Sequence, residues 1–214
     1  MRNLTIFLLV LFNLTDLPAA ERVDIGLFSQ QELAGWKHKE FAGTTLYALQ
    51  QLENTTVLSA LSEQSASAFY KEIHVDLEKT PVMNWSWLKK QGLNPGDENT
   101  KSGDDFAARV YVIKDGGLFF WKTLVINYVW SFSHKSGSVW ENPFAGKNAQ
   151  MLAQRDSSDP SGVWITEKRN IVADFKRLHG KTVKSIDGVA IMTDSDNSGL
   201  AAAAFYGDIY FSAE

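Results

Sequence analysis

No cysteine occurs among the 214 residues. The fold must therefore stand without disulfides, and neither a cysteine nucleophile nor lipid attachment to a cysteine is available. The four histidines, His38, His74, His134 and His179, are scattered, with no HExxH pair and no metal-ligand spacing. No G-x-S-x-G elbow appears. A basic block is missing too, and the formal net charge is −4. Nucleic acid and anionic lipid surfaces are therefore poor candidates for the main partner. Internal repeats, coiled-coil heptads and low-complexity tracts are also lacking.

What is present begins at the N-terminus. Arg2 precedes an apolar run, Leu4 to Phe12, and Leu17-Pro18-Ala19-Ala20 follows with small residues. This is the pattern of a cleaved secretory signal over residues 1–20, with the cut after Ala19 or Ala20. The run is well short of the roughly 20 residues a membrane span needs, so no stable anchor is expected. A periplasmic or secreted protein follows, with residues 21–214 forming one domain.

That domain reads as mainly β. Short stretches such as Trp36 to Phe41 and Lys71 to Leu77 alternate apolar with polar residues, and turn residues punctuate them. About ten strands are expected by this reading. The one convincing helix is Ile171 to Leu178, with Asn170 as N-cap and Gly180 as its stop. A β-sandwich of jelly-roll type fits this pattern.

Lys79 to Ile113 carries the densest polar cluster and reads as a long-loop hairpin. Its second strand, Asp104 to Val112, would place Asp105 and Arg109 on one face, because their spacing is even. Asp104, Asp105 and Arg109 form either a saccharide or carboxylate site or a structural ion pair tying strand to loop. Trp85 and Trp87 share a strand face; outward they make a stacking platform for sugar rings, inward they are core. Trp140, in the segment SGSVWENP, is the better candidate for an exposed aromatic. Asp194, Asp196 and Ser198, ahead of Gly199, resemble the opening of a calcium loop. The twelfth position is Phe205 rather than a glutamate, and an Asx-rich turn explains the same residues with no ion.

An ordered series carries a resemblance over nearly the whole chain. It runs through Trp36, Ser65 to Ala68, Trp85-Ser86-Trp87, Asp104 to Val112, Tyr128-Val129-Trp130, Asn142-Pro143-Phe144, Asp194 to Gly199 and Tyr206 to Phe211. It resembles the bacterial domain-of-unknown-function family numbered 3047, which implies no activity and transfers no catalytic residue. More loosely, the Gly-Asp-Ile-Tyr-Phe ending is similar to galactose-binding-like sandwiches, a group rich in carbohydrate-binding modules. A non-catalytic binder of saccharide or cell-envelope glycan is the leading expectation. A structural or protein-assembly domain is the first alternative. The second is a glycan hydrolase pairing Asp104 or Asp105 with Asp174 or Asp194.

Overall fold

The computed structural model describes residues 21–118 and 122–214. The expected signal segment, residues 1–20, lies outside them, as does part of Leu118 to Trp130, a stretch whose β-branched and aromatic content reads as strand. Fourteen strands and one α-helix are found among the described residues. In chain order they are β1 (Arg22–Gly26), β2 (Trp36–Ala42), β3 (Leu46–Leu52), β4 (Thr55–Glu63), β5 (Ala66–Asp76), β6 (Val82–Gln91) and β7 (Arg109–Lys114). There follow β8 (Leu124–Trp130), β9 (Val139–Asn142), β10 (Gly146–Arg155), β11 (Ile165–Asn170), α1 (Ile171–His179), β12 (Ser185–Met192), β13 (Ala201–Tyr206) and β14 (Ile209–Ser212).

They form two seven-stranded sheets. The first runs β1-β14-β6-β13-β4-β3, with β11 also paired to β6; the second runs β2-β5-β12-β7-β8-β10-β9. All pairings are antiparallel except β8 with β10. The mainly-β sandwich expected from turn spacing is therefore what the chain forms.

Period two explains which side chains meet between the sheets. On β7, Val110 and Val112 turn inward, and on β8 Ile126, Tyr128 and Trp130 do the same. Facing them from the first sheet are Trp85 and Trp87 of β6, Tyr206 of β13 and Phe211 of β14. The α-helix packs against β8, β10 and β11. Its ends are those the sequence indicates: Asn170 Oδ1 accepts from Ala173 N at 2.9 Å, and Gly180 closes it at φ 66°.

The hairpin reading of Lys79 to Ile113 is wrong. Its first strand, β6, belongs to one sheet and its second, β7, to the other. Each carries its own apolar face, and both bury it in the shared core from opposite sides, so the connection crosses between layers. The second strand also starts at Arg109 rather than Asp104, so the even-spacing argument for Asp105 and Arg109 does not apply.

Candidate functional site

The outer face of the second sheet is unusually apolar for a surface. Residues of opposite parity to the core, among them Ala68 and Tyr70 on β5, Ala190 on β12, Tyr111 and Ile113 on β7 and Val125 on β8, line a groove of about 580 Å³. The pairing register puts them in rows across the strands: Tyr70 beside Ala190, Ala190 beside Tyr111, Tyr111 beside Asn127. The alanines keep the floor low, so a ligand can approach the sheet closely. Phe41, at the end of β2, and Phe144, in the β9–β10 turn, contribute to the walls and are 63% and 57% exposed.

A polar cluster closes one end of this groove, and it contains the sequence candidates Asp104, Asp105, Arg109 and Asp194. Arg109 is buried, its guanidinium 4.5 Å above the Phe106 ring. Nη2 donates to the Asp104 carbonyl at 2.9 Å and forms a short ion pair with Asp194, while Nη1 lies 3.4 Å from the Asp104 carboxylate. Asn142 Nδ2 donates to both oxygens of Asp104, at 3.3 and 3.2 Å. Asp105 turns away, accepting from Asn197 N at 3.2 Å and Ser198 N at 2.6 Å. The cluster thus docks the 194–199 turn onto the segment that leads into β7, the strand-to-loop tie that was the structural reading of these residues.

Two carboxylates share one buried guanidinium, with Asp105 and Asp196 nearby. Burial pushes the Asp194 carboxyl up to about 8, against the opposing pull of Arg109 and with help from Asp104 and Asp105. Burial raises Asp104 as well, partly offset by Arg109 and Asn142. The acid pairs invoked for glycan hydrolysis are engaged elsewhere. Asp194 and Asp104 serve Arg109, and Asp174 is bound by Arg169 and by the Tyr128 hydroxyl at 2.7 Å.

The candidate cation residues Asp194 and Asp196 have a further acid beside them. Asp105, Asp194 and Asp196 each place an oxygen within 4.8 Å of the others. Ser198 donates through its backbone amide to Asp105. Carboxylate oxygens are the hard ligands calcium takes. Two of the three, Asp105 and Asp194, are already occupied by amides and by the guanidinium.

The tryptophans depart furthest from a surface role. Trp85 and Trp87 are core side chains, 1% and 0% exposed, packed edge-to-face at 5.6 Å. Trp87 Nε1 donates to buried Glu167 at 3.0 Å. Trp140, expected to be exposed, is only 9% so. Its ring stacks on His134 at 3.9 Å, and Nε1 donates to the Glu98 carbonyl at 3.2 Å. The short β9 is what carries it inward.

The more accessible aromatics are Phe41, Phe144, Phe132 and Trp164, the last beside a second, polar groove of about 500 Å³ on the first sheet. In that groove both oxygens of Asp208 are already held by Ser29. The second groove's lining carries one unpaired buried donor, Trp85 Nε1, whereas the first has a donor and an acceptor. Arg109 Nε and Asn127 Oδ1, both on residues that line it, are buried without hydrogen-bond partners. Buried polar atoms are nearly always paired, so an unpaired donor and acceptor on one lining single the place out.

Residues 34–210 match the family described as protein of unknown function (DUF3047). The chain belongs to DUF3047. No curated protein matches this sequence. The DUF3047 fold is similar to that of the family 11 carbohydrate-binding module from Clostridium thermocellum in complex with a β-1,3-1,4-mixed-linked tetrasaccharide. That match has a TM-score of 0.52 and 9% identity, and covers 91% of this chain and 96% of that one. A family 11 module of the cellulosomal cellulase Lic26A-Cel5E of the same organism matches at TM-score 0.49 and 9% identity, over 91% and 95% of the two chains. At such identities the likeness to the tetrasaccharide-bound module shows the sandwich fold and leaves the ligand open.

Proposed function

We propose that this DUF3047 chain is a non-catalytic saccharide-binding domain, exported to the periplasm or beyond, and that its ligand lies in the groove on the second sheet. The observation that carries the reading is the groove's combination of exposed aromatic walls, Phe41 and Phe144, with half-buried polar side chains at one end, Asp196 and Asn197. A hydroxyl both donates and accepts, so a polyhydroxylated ring suits the Asp196 and Asn197 end, while its C–H faces suit the Tyr70, Phe41 and Phe144 side chains. The sandwich fold shared with a module bound to a tetrasaccharide supports the same class. Export rests on the N-terminal sequence pattern alone.

The test titrates the protein lacking residues 1–20 with soluble polysaccharides and peptidoglycan fragments by calorimetry. Saturable binding, lost in Tyr70→Ala with an unchanged Tm, supports the reading. A flat response across the panel would leave the structural or protein-assembly role as the better account.

A further inference from the structure

The groove is too apolar for a saccharide alone. Polar groups gather at one end, around Arg109, Asn142 and Asn197, with Asn127 one row further along. Beyond Asn127 the lining continues through Ile113, Val125 and Ala149, side by side in register. Tyr111 contributes no free hydroxyl there, because it donates to Met192 Sδ at 3.2 Å. A sugar ring laid along this half would leave its hydroxyls without partners, which is costly, whereas methylenes gain from every apolar contact.

We infer that the ligand is an amphiphile: a polyhydroxylated head at the Arg109–Asn127 end and an alkyl chain along Ile113, Val125, Ala149 and Ala190. The head group rests on the saccharide reading above; the chain half stands on the groove lining by itself. Alanines at 149 and 190 leave chain-wide space above the sheet, and Phe41 and Phe144 flank the opening. Met192, flexible and positioned beside Arg109 in the pairing, is the side chain best able to move as the head enters.

The experiment uses alkyl β-glucosides with methyl, hexyl, octyl and decyl chains, each below its micelle concentration, titrated calorimetrically into the protein lacking residues 1–20. Hexyl sulfonate and octyl sulfonate serve as chains without a sugar. Affinity should rise by up to about fourfold for each buried methylene and level off once the groove is filled. Ala190→Leu should remove that dependence while leaving the methyl glucoside unaffected. Should Ala190→Leu misfold, judged by circular dichroism and Tm, Val125→Ser in the half-buried apolar lining should weaken the long-chain probes alone.

Saturable methyl glucoside binding with no gain from chain length would overturn the amphiphile and keep the saccharide reading. Sulfonates binding as tightly as glucosides of equal chain would confirm the chain site and overturn the saccharide head. Silence from every probe, while a free polysaccharide binds, would remove the alkyl chain outright.

Discussion

The Arg109 guanidinium at the start of β7 and the Asp194 carboxylate just after β12 form a buried ion pair between residues 85 positions apart. Both side chains are 2% exposed. The pair joins two neighbouring strands of the second sheet where they leave it, and with Asp104 it sets the floor at one end of the groove. Two carboxyl groups share one guanidinium, so the cluster carries excess negative charge only where Asp194 has lost its proton. Three consequences follow from the buried charges and the groove above them.

Stability should depend on pH with an unusual sign. Asp194 holds its proton up to about pH 8 when folded, against an ordinary 3.8 in the unfolded chain. Between these values the folded state binds the extra proton, so stability falls as pH rises through the window and levels off above it. The slope is at most about 1.4 kcal/mol per pH unit. Urea unfolding at pH 5, 6, 7, 8 and 9 measures it, and Asp194→Asn should flatten the curve. A wild-type curve that rises from pH 5 to 8, or one that Asp194→Asn leaves unaltered, would refute the assignment.

Removing the cation should expose the opposite imbalance. Arg109→Met leaves Asp104 and Asp194 buried without a counter-charge, a loss of about 3–5 kcal/mol at pH 8. Because both carboxylates are already displaced toward the protonated form, the loss should shrink as pH falls to 5. Adding Asp194→Asn to Arg109→Met should restore part of the stability, which a denaturant-based double-mutant cycle reads directly.

Ligand affinity and stability should separate at the groove wall. Phe144 is 57% exposed, so Phe144→Ala should change unfolding free energy by no more than about 0.5 kcal/mol. If the groove takes the ligand, the same change weakens binding several-fold through lost ring contact, by about 0.5–1.5 kcal/mol. Equal binding by wild type and Phe144→Ala would move the ligand away from this wall.

The sandwich was readable from the chain because alternation and turn punctuation are local signals. Helix α1 was readable for the same reason, since Asn170 and Gly180 lie at its two ends. The Asp104–Arg109–Asp194 cluster was visible only as parts. Asp194 sits on a turn far along the chain, and nothing local indicates that it meets Arg109. Trp140 does not read as buried because Gly, Ser and Asn surround it in sequence, while the partners that bury it, Glu98, Phe106 and Met151, come from other segments. The groove itself was hidden by its apolarity. Where both faces of a strand are apolar, as on β7 and β12, periodicity does not say which faces the core.

Glu98 offers the last test, because its position depends on a backbone contact that tolerates no side chain. Its buried carboxylate accepts from Phe132 N at 2.6 Å and lies 2.9 Å from His134 Nδ1, and Ser131 Oγ donates to it as well. The turn that carries it is held by Gly103, where an added Cβ would stand 2.2 Å from the Asp97 carbonyl oxygen and 3.1 Å from Glu98 N. Both are backbone atoms, so no side-chain rotation relieves the clash, and the turn itself must move. Gly103→Ala should therefore cost about 1–3 kcal/mol, as other overpacking changes do. It should also loosen Trp140, whose indole donates to the Glu98 carbonyl, and so shift the tryptophan emission of the folded protein to longer wavelength. Gly92→Ala, where an added Cβ meets nothing within 4 Å, is the matched control and should do neither. Equal stability and equal emission in the two variants would mean that the turn is not fixed at Gly103.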